Sequence, residues 1–154
     1  YFKEFQNKPK YEAEFGESHN ADTLWITPSN FVNESGRTIS KILKSNNLKT
    51  NMFLIIHDDL DLEPGELKLK EGGGHGGHNG LRDIIKRTGK SDFIRLRVGI
   101  GHPGTKDEVT NWVLNKFSSN EKKSIENAYS KFEAVFEMIV SNQPQEVQKI
   151  LHTK

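Results

Sequence analysis

The chain contains no cysteine. That excludes a disulfide framework and a thiolate metal site, and it fits a reducing compartment such as the cytoplasm. Long hydrophobic runs are missing too: the longest, Met52 to Ile56, falls far short of the roughly 20 apolar residues a membrane span needs. No charged-then-apolar opening stretch reads as a signal peptide. Apolar residues are scarce, 33% of the chain with a mean hydropathy of −0.71, which is low for a globular domain. What is present still argues for a folded protein. There are nine phenylalanines, two tryptophans and several dense apolar segments, and 154 residues suit one domain with a real core.

The net charge of +1 hides an uneven distribution. Between Pro64 and Lys106 the bases Lys68, Lys70, Arg82, Lys86, Arg87, Lys90, Arg95, Arg97 and Lys106 face only Glu66, Glu71, Asp83 and Asp92. That stretch is a footprint for phosphate-bearing partners or, more plainly, a solvated charged face.

Periodicity sketches the elements. Tyr1, Phe2 and Phe5 recur at the spacing of one helical face, so a helix is expected at the start. Glu12 to Phe15 and Thr23 to Ile26 read as strands joined by a polar loop that contains His19. A helix is expected from Asn33 to about Lys44, with Ile39, Ile42 and Leu43 on its apolar face. Met52 to Ile56 has the pattern of a strand buried on both faces. Leu67 and Leu69 alternate with Lys68 and Lys70, as Ile94, Leu96 and Val98 do with Arg95 and Arg97, giving two strands with one basic face each. Ser118 and Glu121 form a capping box for a long helix with the stripe Ile125, Tyr129, Phe132, Phe136, Ile139. Pro144 opens a last short helix. The expected fold is one α/β domain over residues 1–154, with a twisted, mixed but mostly parallel sheet covered by helices on both faces.

Three features could carry chemistry. The strand ending at Ile56 delivers His57-Asp58-Asp59-Leu60-Asp61 at its C-terminal edge, where α/β sheets usually bind ligands. A carboxylate there can support a histidine general base, or it can simply cap the turn before Pro64-Gly65. The glycine-rich run from Gly72 to Gly80 formally satisfies a dinucleotide fingerprint, which any run so rich in glycine would do. Within it, His75 and His78 could ligate a metal if Asp58 joined them, or serve as loop hydrogen-bond partners. Asn79 is either the N-cap of the following helix or an amide that holds a substrate carbonyl. If the two basic-faced strands are neighbours, Lys68, Lys70, Arg95 and Arg97 form a phosphate-binding cluster suited to nucleic acid.

Four blocks then carry a resemblance. They are Thr27-Pro28-Ser29-Asn30-Phe31-Val32-Asn33-Glu34-Ser35-Gly36, His57-Asp58-Asp59-Leu60-Asp61-Leu62-Glu63-Pro64-Gly65, Gly72 through Leu81, and Arg95-Leu96-Arg97-Val98-Gly99-Ile100-Gly101-His102-Pro103-Gly104. In order and spacing the chain resembles the bacterial peptidyl-tRNA hydrolase family over nearly its whole length. The resemblance implies a monomeric, cytoplasmic α/β enzyme, with no metal or cofactor, that hydrolyses the ester between a peptide and the 3′ ribose of tRNA. It implies that Asp58 orients the catalytic histidine. Phe31, Asn33 and Asn79 would contact the tRNA end or the peptide, and Lys70 with Arg97 would engage the 5′ phosphate of the acceptor end. His78 would support Asn79 from behind.

The family pattern also opens with a strand, a Gly-Leu-x-Asn-Pro-Gly loop and a Thr-Arg-His-Asn segment that holds the general base. None of these occurs here, and His19, His57, His75, His78, His102 and His152 all stand elsewhere. The expectation is of a domain lacking its N-terminal strand and loop, so that these residues alone bind weakly and scarcely hydrolyse. An inert tRNA-binding module that has lost its base is the alternative reading. A dinucleotide-dependent oxidoreductase, resting on the glycine spacing alone, is a third.

Overall fold

The structure is a computed structural model that describes residues 4–18 and 23–152. The chain divides into two compact units. One comprises the residues up to Phe53 together with Gly72–Phe93, the other Leu54–Glu71 together with the residues from Ile94 onward.

The first unit holds an antiparallel meander of β1 (Gln6–Lys8), β2 (Ala13–Glu17) and β3 (Leu24–Pro28), with Phe15 opposite both Gln6 and Ile26. Among the described residues no helix opens the chain. Tyr1, Phe2 and His19 lie outside the described residues, and Phe5 leads into β1 with its ring against Gly16 of β2. Phe5 thus packs across a strand pair. A 3-10 turn, Val32–Glu34, precedes α1 (Ser35–Asn46), and α2 (Asn79–Thr88) follows the glycine run. Thr38, Ile39 and Ile42 of α1 are buried, as are Leu81 and Ile84 of α2.

The two helices meet at Gly36. A Cβ there would lie 2.4 Å from the carbonyl oxygen of Asp83, so only a residue without a side chain permits the approach. The contact is closed by a hydrogen bond of 2.9 Å from the Gly36 N–H to the Asp83 carboxylate. On its other flank α1 is tied to the β1–β2 connection, where Arg37 donates from Nε and Nη2 to the two oxygens of Glu12 at 2.8 and 2.6 Å. Lys41 adds a third bond to Glu12 at 2.7 Å. These hydrogen bonds and charges hold the Glu12 carboxyl below the usual carboxylate range.

The second unit holds a three-stranded sheet in the order β4–β6–β5, from β4 (Leu54–Asp59), β5 (Leu67–Glu71) and β6 (Ile94–Gly99). β4 runs parallel to β6, with Ile56 opposite Leu96, and β5 runs antiparallel to β6, with Leu69 opposite Leu96. The fold is therefore α/β as expected, but the mostly parallel sheet is not found. Among the described residues there are two three-stranded sheets, and only one of the four strand pairings is parallel. Short connections in the first unit favour hairpin-like antiparallel pairing, and hydrophobic runs do not reveal strand direction. β4 is also less buried than its apolar run suggested. It borders its sheet, and Ile56 is 44% exposed.

Helices α3 (Val109–Leu114), α4 (Ser119–Val140) and α5 (Pro144–His152) complete this unit. Ser118 and Glu121 form the capping box that starts α4, each satisfying a backbone N–H of the other. The fully buried residues of α4 are Ala128, Phe132 and Val135, while Tyr129 is exposed, so the apolar stripe runs one position away from the expected track. α4 passes close to Gly65, whose positive φ of 84° and proximity to the Ser124 carbonyl, 2.4 Å from a would-be Cβ, both demand glycine. α5 lies along β5. Gln148 donates to the Leu69 carbonyl at 3.2 Å, and the Leu69 N–H donates to His152 Nε2 at 3.1 Å.

Candidate active site

The residues singled out in the sequence fall into both units: Phe31, Asn33, His78 and Asn79 into the first, and Asp58, Lys70 and Arg97 into the second.

In the first unit the glycine run ends where α2 begins. His78, not Asn79, is the N-cap: it has extended backbone, its carbonyl accepts from Arg82, and its Nδ1 accepts from the Leu81 N–H at 3.2 Å. Asn79 is the first helical residue, and its side chain is exposed. The 3-10 turn Val32–Glu34 packs against this helix start. A Cβ on Gly80 would lie 3.0 Å from the His78 ring and 3.1 Å from both Val32 Cγ2 and the Val32 carbonyl oxygen. Backbone proximity thus brings the Phe31–Asn33 segment to the end of α2 that carries Asn79. Phe31 is 80% exposed, and Asn33 is exposed beside it. The result is a corner that presents one aromatic ring and two amides to solvent, with His78 inside it as a cap.

Phe31 also borders a cavity of about 460 Å³ lined by Glu12, Asn30, Glu34 and Arg37 among others. No local pattern announces it, because the Glu12–Arg37 pair that walls it joins residues 25 apart.

In the second unit, β4 places His57, Asp58 and Asp59 at its C-terminal end. All three are half-buried, and His57 Nδ1 lies 2.7 Å from the Asp58 carbonyl oxygen. Successive side chains leave opposite faces of a strand. Asp59 turns to the face of Arg97, where its Oδ2 accepts from Arg97 Nε at 2.7 Å. Asp58, opposite Val98 in the register, belongs to the other face. Burial works against ionisation of Asp59. The hydrogen bonds from Arg97 and from the Asp61 N–H, with the charge of Arg97, outweigh it and hold the carboxyl below the ordinary range. The same pair raises Arg97 above its usual value.

β5 and β6 are neighbours, as the cation cluster required, with Lys68 opposite Arg97 and Lys70 opposite Arg95. Lys70 and Arg97 are therefore diagonal neighbours on one face. The cluster is smaller than four, however. Arg95 is 2% exposed, and its pKa is lowered by burial and by the nearby Arg97 charge. Lys68 is paired to Glu66 at 3.0 Å. Lys70 is the exposed cation of the group, with no partner among the described residues. Sequence reasoning passed over Asp59, treating it as a turn cap or a solvated acid. Its partner is set by the β4–β6 ladder, which no local pattern announces.

Among the described residues no group of three or more His, Asp or Glu side chains is arranged to hold a metal ion. His75 and His78 instead take backbone N–H groups on their Nδ1 atoms, from Gly77 and Leu81.

Comparison with known proteins places this arrangement. Residues 2–154 match the family model described as peptidyl-tRNA hydrolase. The peptidyl-tRNA hydrolase of Coxiella burnetii is 45% identical over 132 residues, 86% of this chain and 71% of that protein. That of Francisella tularensis subsp. novicida is 41% identical over 133 residues, 86% of this chain and 70% of its own length. A crystal structure of the peptidyl-tRNA hydrolase from Acinetobacter baumannii superposes with a TM-score of 0.91 at 35% identity, covering 97% of this chain and 76% of that one. This chain belongs to the peptidyl-tRNA hydrolase family.

Proposed function

We propose that this protein hydrolyses the ester bond joining a peptide to the 3′ ribose of tRNA, releasing free tRNA from stalled or aborted translation. The observation that supports this most strongly is the family match over residues 2–154. Water adds to the ester carbonyl as a general base takes its proton, and the tetrahedral intermediate then expels the ribose oxygen, which takes a proton in turn. The products are a peptide carboxylate and a tRNA with a free hydroxyl.

Asp58 carries the orienting role. A carboxylate bonded to one imidazole nitrogen keeps the other free to accept the water proton. The Thr-Arg-His-Asn segment to which the resemblance assigns that imidazole does not occur in these 154 residues. Asn33 and Asn79 supply amide donors and acceptors for the substrate carbonyl and peptide backbone, and Phe31 offers its exposed ring to the terminal base or a peptide side chain. Lys70 and Arg97 bind the 5′ phosphate of the acceptor end. His78 fixes the helix start from which Asn79 projects. The enzyme acts as a monomer in the cytoplasm, without metal or cofactor.

The test is cleavage of an N-blocked aminoacyl-tRNA by a chain that carries the Thr-Arg-His-Asn segment ahead of Tyr1, compared with its Asp58→Asn variant. Turnover should fall roughly a hundredfold or more in the variant, with affinity for tRNA retained. Equal turnover overturns the role of Asp58. Binding without any cleavage would return the protein to the inert RNA-binding reading.

A further inference from the structure

Asp59 has both carboxylate oxygens committed. Oδ2 accepts from Arg97 Nε at 2.7 Å, and Oδ1 accepts from the Asp61 backbone N–H at 2.9 Å. The backbone of Asp59 is anchored as well, since its carbonyl accepts from the Ile100 N–H at 3.0 Å. Its side chain is 13% exposed and that of Arg97 25%. Asp59 is therefore a fixed acceptor held against a partly accessible arginine.

The way it holds that arginine is the informative detail. A guanidinium has five N–H donors in a planar fork, one on Nε and four on the two terminal nitrogens. A carboxylate placed to neutralise arginine commonly takes two of these donors side by side, as Glu12 does with Arg37. Asp59 takes only Nε. Among the described residues the terminal nitrogens of Arg97 have no hydrogen-bond or ion-pair partner. The bond to Nε fixes the rotation of the guanidinium plane and leaves its far edge without a hydrogen bond, although the charges of Asp61 and Glu66 also act on it. That edge matches two oxygens of a phosphate. Lys70, diagonal to Arg97 on the same face, adds a second cation. Tying β4 to β6 does not explain the pair, because a six-residue parallel ladder already joins them.

We infer that Asp59 is a positioning residue, one that holds the Arg97 guanidinium by Nε so that its two terminal nitrogens face a phosphate of the tRNA acceptor end. This rests on the assignment of Arg97 to phosphate in the proposed function. Asp59 itself touches no substrate.

The experiment measures affinity for tRNA with and without its 5′ phosphate, at fixed ionic strength. The wild-type chain should bind the phosphorylated form about tenfold more tightly. In Asp59→Ala that ratio should drop to about twofold, because a swinging arginine no longer presents a fork. Asp59→Glu, which keeps a carboxylate, should recover most of the ratio. The ratio compares two ligands on one preparation, so a partly unfolded sample does not move it. A full ratio in Asp59→Ala overturns the inference, as does a Glu variant no better than the Ala variant. A wild-type ratio of one overturns it together with the phosphate role of Arg97, and leaves ester hydrolysis standing if cleavage is still seen. A tenfold wild-type ratio that falls in Asp59→Ala, found without cleavage, strikes the hydrolysis reading alone and supports the positioning role.

Discussion

The corner around Gly36 and Gly80 and the face shared by β4, β5 and β6 are held by opposite means. At the corner, position comes from close packing: Gly36 leaves no room for a methyl group, Gly80 leaves little, and a cap satisfies the helix start. On the sheet face, position comes from charge: Asp59 on Arg97, Glu66 on Lys68, and a buried Arg95 beside them. The first arrangement depends above all on volume, with a single carboxylate bond from Asp83 closing the Gly36 crossing. The second tolerates volume but responds to salt and pH. A protein that handles an uncharged ester and a polyanion has reason to hold its amides by shape and its cations by charge.

The sharpest way to break that contrast is to add one methyl group. Alanine favours a helix interior over glycine by about 1 kcal/mol, yet at Gly36 it meets the Asp83 backbone at 2.4 Å. The steric term should win, so Gly36→Ala is expected to lower unfolding free energy by about 2 to 3 kcal/mol in a denaturant titration. Gly74→Ala, where nothing lies within 4 Å, should stay within about 0.5 kcal/mol of wild type. Equal effects at the two glycines would mean that the corner is not sterically built.

On the charged side, Arg97→Gln should weaken tRNA binding about tenfold at moderate salt and reduce the slope of log affinity against log salt by about one. An unchanged slope would remove Arg97 from the phosphate contact. The corner should show none of this. His78→Ala, which deletes the cap on Leu81, should cost about 1 kcal/mol of stability with no change in salt slope. The smallest expected effect is in acid. Asp59 is held below its unfolded value, so its contribution is complete above the ordinary carboxylate pKa of about 4 and is lost as pH falls through the lower folded value. The pair is worth about 1 kcal/mol or less, and Asp59→Asn should flatten the acid limb of stability by that amount. A variant whose acid unfolding curve runs parallel to wild type would contradict it.

Local signals were read well and non-local ones poorly. The alternation of Leu67, Lys68, Leu69 and Lys70 located β5, and the Ser118–Glu121 pair located the start of α4, because each is decided within a few residues. Proline at 144 placed α5. The apolar run ending at Ile56 was taken as a strand, but β4 continues through His57, Asp58 and Asp59, since ladder pairing with β6 overrides the change in polarity. Arg95 alternates like Arg97 and yet is buried, a difference that the alternation along a single strand cannot express. The exchange of roles between His78 and Asn79 is a one-residue shift of a helix boundary, which propensity alone does not resolve. The residues that the resemblance named nonetheless fall in two spatial groups, Phe31, Asn33, His78 and Asn79 in one and Lys70 with Arg97 in the other. The resemblance assigned no role to Asp59, the residue bonded to Arg97.

The bonds from Gln148 and His152 to the two backbone groups of Leu69 have a bearing on life in a crowded solution. A strand at the border of a sheet offers bare amides and carbonyls to any passing chain and so can seed intermolecular pairing. Here the border of β5 is plugged at its midpoint by side chains of its own C-terminal helix. A stranger's backbone would have to displace an amide and an imidazole before it could add a strand. Truncation at Pro144 should therefore expose an aggregation-prone edge as well as shorten the protein.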